Sequence, residues 1–64
     1  MSTGKTVAEL NAMVNKLFDI VDQLTPWQHD FINDMAEQVI NHETFSEKQA
    51  EKIVMIYEQS ENKL

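Results

Sequence analysis

From Val7 onward, apolar residues recur three and four positions apart. Val7, Leu10, Val14, Leu17, Val21 and Leu24 form one seam, widened by Phe18. Trp27, Phe31, Met35 and Val39 form an i, i+4 row, with Ile32 and Ala36 beside it. Ala50, Ile53, Val54 and Tyr57 share a third face. This is the periodicity of an amphipathic helix. No strict period-two run occurs, so no sheet is expected. The spacing predicts helices over about residues 7–24, 26–41 and 47–60, with 61–64 as a frayed tail.

The helix starts carry their own signal. Thr6-Val7-Ala8-Glu9, Thr25-Pro26-Trp27-Gln28 and Ser46-Glu47-Lys48-Gln49 each place a hydroxyl three residues before Glu or Gln. In such a box the hydroxyl accepts from the N3 amide while the N3 side chain accepts from the cap amide. Pro26 adds the favoured first-position proline. The connections are short: Leu24-Thr25 between the first two helices, and Asn41 to Phe45 between the last two. Short links favour antiparallel neighbours. The expected fold is all-α: a single domain over residues 1–64 forming a small three-helix bundle, a helical hairpin plus one helix.

Composition narrows the function more than it defines it. The 64 residues hold 11 acids against 5 lysines, with no arginine and no cysteine, for a net charge of −6. The sequence pI is about 4.6. Phosphate contacts need cations, and base readout leans on arginine. Direct nucleic-acid binding is therefore not expected, and an anionic membrane is an equally poor partner. Without cysteine there are no disulfides, thiolate metal sites or thiol nucleophiles. No apolar run is long enough to span a bilayer, and the polar start, Met1 to Lys5, leads into no signal-peptide core. The expected location is the cytoplasm. Between Leu17 and Phe45 the chain carries Asp19, Asp22, Asp30, Asp34, Glu37 and Glu43 without one lysine. Such a run is either a solubilising face or an electrostatic face for a basic partner.

Motifs for chemistry are weak. Gly4-Lys5-Thr6 matches only the end of a phosphate-binding loop, without its upstream glycine or strand, and Thr6 is better explained as an N-cap. His29 with Asn33, and Asp30 with Asp34, share helix spacing, but no second histidine completes a metal set. His42 and Glu43 fall in a loop. Ser2 and Ser60 are terminal, and Ser46 is a cap. No catalytic, cofactor or metal residue is assigned, and the protein is expected not to be an enzyme.

Apolar residues left outside these faces point to contact with a partner. Met13 and Ile20 fall off the centre of the first seam, and Met55 and Ile56 fall off the Ala50–Tyr57 face. With Asp30, Asp34 and Glu37 they form the candidate partner-binding set; the alternative is a wider core. Trp27 is expected as a core anchor on the row with Phe31, with an interface hot spot as its alternative. The a/d spacing of the first seam also offers a homodimer contact.

Leu24, Thr25, Trp27, Phe31 and Ile32, then Ser46 to Gln49, then Ile53, Ile56, Tyr57 and Glu58 together resemble a pattern of small phage and phage-like bacterial helical proteins. It covers about half of the chain. Glu43-Thr44-Phe45 departs from the glycine and leucine of that pattern. The resemblance implies a helical hairpin found among replication and recombination genes, and carries over no catalytic residues. The expected function is a small acidic interaction module that docks on a larger protein of nucleic-acid metabolism and modulates or inhibits it. The alternatives are a nucleic-acid mimic that occupies a basic groove and a homodimeric structural module.

Overall fold

The computed structural model describes residues 4–64; the sequence reading of Ser2 and of the first three residues lies outside them. Three helices follow in order: α1 (Val7–Asp19), α2 (Pro26–Ile40) and α3 (Glu47–Gln59). Single 3-10 turns follow α1 at Val21–Gln23 and α3 at Glu61–Lys63. No strand occurs among the described residues. The fold is the expected all-α three-helix bundle, and α1 packs closely against both other helices.

Each helix begins where its cap places it. Thr6 Oγ1 accepts from Glu9 N, and Glu9 Oε1 accepts from Thr6 N, both at 3.1 Å. Ser46 and Gln49 make the same exchange at 3.1 and 3.0 Å. At α2, Thr25 N donates to Gln28 Oε1 at 3.2 Å, with Pro26 in the first turn. These bonds satisfy amides that have no carbonyl one turn back. The Thr6 backbone N–H, reinforced by its hydroxyl, holds the Glu9 carboxyl below its ordinary pKa. α2 ends in a Schellman turn: Glu43 N donates to Gln38 O and His42 N to Val39 O. His42 takes the left-handed position with φ 59°, where glycine is usual.

α1 is shorter than its apolar seam suggests. It stops at Asp19, with Ile20 as C-cap at φ −115°, rather than running to residue 23 or 24. The reason is the reversal that must follow. Thr25 precedes proline and is held extended at ψ 160°, so one residue alone cannot turn the chain through an antiparallel bend. The 3-10 turn at Val21–Gln23 makes the reversal. It folds Ile20, Val21 and Leu24 down against Leu17, Ile32 and Ile56.

The core has two linked parts. Leu10, Met13, Val14, Met35, Ala50 and Ile53 form the larger part. Leu17, Ile32 and Ile56 form the smaller part at the α1–α2 turn end. Phe31 and Tyr57 pack against both parts. In the tail, Lys63 Nζ donates to Gln23 O at 3.0 Å, joining the last turn to the first link. No described helix is long and apolar enough to cross a membrane.

Candidate interaction surface

The decisive departure from sequence expectation is the rotation of α2. Its buried line is Gln28, Ile32 and Met35, not the Trp27 row. Gln28 lies inside with 8% exposure, and both ends of its amide are used. Oε1 caps Thr25, and Nε2 donates to Gln59 Oε1 at 3.1 Å across to the end of α3. Trp27, one residue earlier, is thereby carried outward and is 50% exposed. Its expected place in the core is corrected: the cap residue holds the inward position that the tryptophan would have filled.

Trp27 does not stand alone. Its ring centroid is 6.5 Å from that of Phe31, one turn along the helix. Lys52 Nζ reaches from α3 to 5.8 Å from the centre of the Phe31 ring, within cation–π range. Met55, one turn after Lys52, is 40% exposed. Lys48, Glu51, Lys52 and Met55 line a shallow recess on this side of α3. The α2–α3 face therefore presents an aromatic pair, a methionine and two lysines.

The acids border this patch. At about 100° per residue, Asp34 lies about 20° from Trp27 on the far side from Phe31, Asp30 about 60° and Glu37 about 80°. All three carboxylates are exposed. Asp34 and Glu37 also line an open recess with Gln38, Asn41, Glu43 and Gln49. Next to them, His29 Nδ1 lies 3.4 Å from Asp30 Oδ1 and from Asn33 Nδ2. Among the described residues no group of three His, Cys, Asp or Glu side chains gathers around a metal-sized space.

The other residues expected to bind a partner divide. Met13 and Ile56 are corrected: both are buried in the core. Met13 is inside because Val7 and Phe18, at the other edge of the seam, are exposed, which leaves the buried face of α1 centred on Leu10 and Leu17. Ile56 is inside because α3 leans its Ile53–Ile56–Ser60 side on the rest of the bundle, leaving Tyr57 half-buried. Ile20 is half-buried in the link, packed on the smaller core part. Only Met55 and the three acids lie on the open surface. The proposed dimer seam is also occupied, since Leu10, Val14 and Leu17 are buried within the same chain. Trp27 was the surface residue assigned elsewhere. The signal that places it is the capping box itself, which commits Gln28 to the junction between helices.

A further recess, of about 300 Å³, runs between α1 and α3 beside Met13, Val54, Tyr57 and Glu58. It is an open groove rather than an enclosed chamber. No family model, curated protein or solved structure matches the chain.

Proposed function

We propose that the protein is a non-enzymatic interaction module that docks on a larger protein through the α2–α3 surface centred on Trp27. The observation that carries this function is the half-exposed Trp27 beside Phe31, with Asp30, Asp34 and Glu37 along one border. Aromatic anchors surrounded by polar groups are the usual centres of binding energy. Covering the open half of Trp27, about 100 Å², is worth about 2.5 kcal/mol at roughly 25 cal/mol per Å². The acids draw in a partner with a basic rim and set its orientation. The resemblance to phage helical proteins extends the proposal to an accessory protein of the host cytoplasm. There it modulates or inhibits nucleic-acid machinery while touching no nucleic acid itself.

A mimic of nucleic acid would depend on the carboxylates and ignore the apolar patch. The two mechanisms separate in one experiment. Partners captured from host lysate by the wild type are measured for binding kinetics at three salt concentrations. The same measurements are made on Trp27→Ala, Met55→Ser and a triple charge reversal at Asp30, Asp34 and Glu37. Docking predicts that Trp27→Ala and Met55→Ser speed dissociation and that charge reversal mainly slows association. Loss of binding with charge reversal alone, and none with Trp27→Ala, would establish the mimic and refute the module.

A further inference from the structure

The three helices do not pack equally. α1 lies close against both α2 and α3, whereas α2 and α3 scarcely approach each other. Gln28 bonds Gln59 near one end of the gap between them, and Lys52 reaches across it to the Phe31 ring. α1 covers the inner side of this gap. The outer side is open, with exposed Trp27 at one edge and exposed Met55 at the other. The two edges carry opposite charge. On α2, Asp34 and Asp30 stand just outside Trp27, and the helix holds no lysine. On α3, Lys52, Lys48 and Met55 fall within about 60° of one another, and Glu51 lies about 40° beyond Met55, farther from α2. Among the described residues no ion pair joins either lysine to the acids of α2. Both rows of charge are left for something seated between them.

We propose that this open side seats an amphipathic α-helix of the partner, basic on the flank toward α2 and acidic on the flank toward α3. The proposal rests on the docking reading above and specifies the shape and charge of what docks. A helix suits the space because helices pack at about 8–10 Å into the groove between two others. Laid opposite α1, it completes a four-helix arrangement. An extended segment finds no sheet edge, since the described residues contain no strand. Apolar anchors one turn apart on the incoming helix cover Trp27, Phe31 and Met55. A uniformly basic helix meets like charge at Lys48 and Lys52, and a uniformly acidic one meets it at Asp30 and Asp34. The opposed flanks also fix direction, because turning the helix end for end exchanges them.

Two synthetic amphipathic peptides of about 18 residues, five turns of helix, are the probes. Both carry a leucine stripe. One has lysine along one flank and glutamate along the other; the second has lysine along both. Binding to the full chain is read at about 0.15 M salt, from the blue shift of Trp27 emission and the gain of helical circular dichroism. The split-charge peptide is expected to bind. Reversing Lys48→Glu and Lys52→Glu together weakens it tenfold or more and tightens the all-lysine peptide. Both lysines are exposed and glutamate is a good helix former; Lys48→Glu alone gives the same signs if the double variant does not fold. No binding of the split-charge peptide up to about 1 mM overturns the proposal. Binding without a gain of helix does so too, as does an equal response of the two peptides to lysine reversal. Where that equal response comes with loss of both peptides in Trp27→Ala, the charged helix is refuted while docking at Trp27 stands.

Discussion

Gln28 joins the cap of α2 to the end of α3, and removing its two hydrogen bonds tests whether that joint sets the phase of the helix. In Gln28→Met the methylenes and most of the volume remain, while Thr25 N and Gln59 Oε1 both lose their partner. At about 1 kcal/mol per neutral hydrogen bond, the expected loss is about 2 kcal/mol. Gln28→Ala removes packing as well, about 0.8 kcal/mol per buried methylene, for a total of about 3 kcal/mol or more. A chain of this length has roughly 3–10 kcal/mol of stability in all, at about 0.05–0.15 kcal/mol per residue. Either change is therefore large. Gln59→Ala removes only the interhelical bond, from an exposed residue, and is expected to cost about 1 kcal/mol. Urea titrations followed by circular dichroism give these differences from the midpoints, provided the slopes agree. A cycle of Gln28→Met with Gln59→Ala isolates the bond between the helices, expected at about 1 kcal/mol. A Gln28→Met protein within about 0.3 kcal/mol of wild type, inside the error on distant additive sites, would refute the reasoning. The inward position of Gln28 would then owe nothing to its amide.

Trp27→Ala should cost stability about 1–2 kcal/mol, well below the 3–5 kcal/mol of a buried tryptophan; in the wild type its emission should be red and readily quenched by iodide. A blue, protected emission from a monomer would return Trp27 to the core. His42→Gly relieves a left-handed residue, a strain of about 1–2 kcal/mol, against about 0.4–1 kcal/mol of added chain entropy. The expected net gain is about 0.5–1 kcal/mol, read as a higher denaturation midpoint. Glu9 has a folded pKa below its ordinary value, so its contribution is present at neutral pH and is lost as pH falls through the folded value. The stability difference between wild type and Glu9→Gln should shrink as pH falls below about 4; a difference that grows on acidification contradicts the Thr6–Glu9 cap.

Helix starts were legible because capping is local: Thr6 with Glu9 and Ser46 with Gln49 need only three residues of sequence to act. Helix faces were legible to within about one neighbouring position. Periodicity gives the width of an apolar stripe but not its centre, and the centre decides which of Met13, Ile56 and Trp27 is covered. Counting Val7 and Phe18 in the seam moves the centre of α1 away from Met13, yet both are exposed. Ranking Trp27 by its size alone hid that Gln28, a polar residue, holds the better inward place once its amide bonds Thr25 and Gln59. The acids Asp30, Asp34 and Glu37 were legible as exposed because nothing in a small core can hold an unpaired carboxylate. Their closeness to an aromatic patch was not, since it depends on that same rotation of α2.

The bond from Lys63 to the Gln23 carbonyl has a practical side. It anchors the carboxyl-terminal turn at the end of the bundle where α1 passes into α2, which is also the end that displays Trp27. The amino-terminal entry into α1 lies at the opposite end, with the Asn41–Phe45 link. A fluorescent protein, bead or surface tether fused after Leu64 would stand beside the tryptophan and shade it. The same attachment ahead of Gly4 would leave it open. Immobilised in the two orientations, one protein should yield two different binding capacities, and the orientation that blocks capture marks the working end of the molecule.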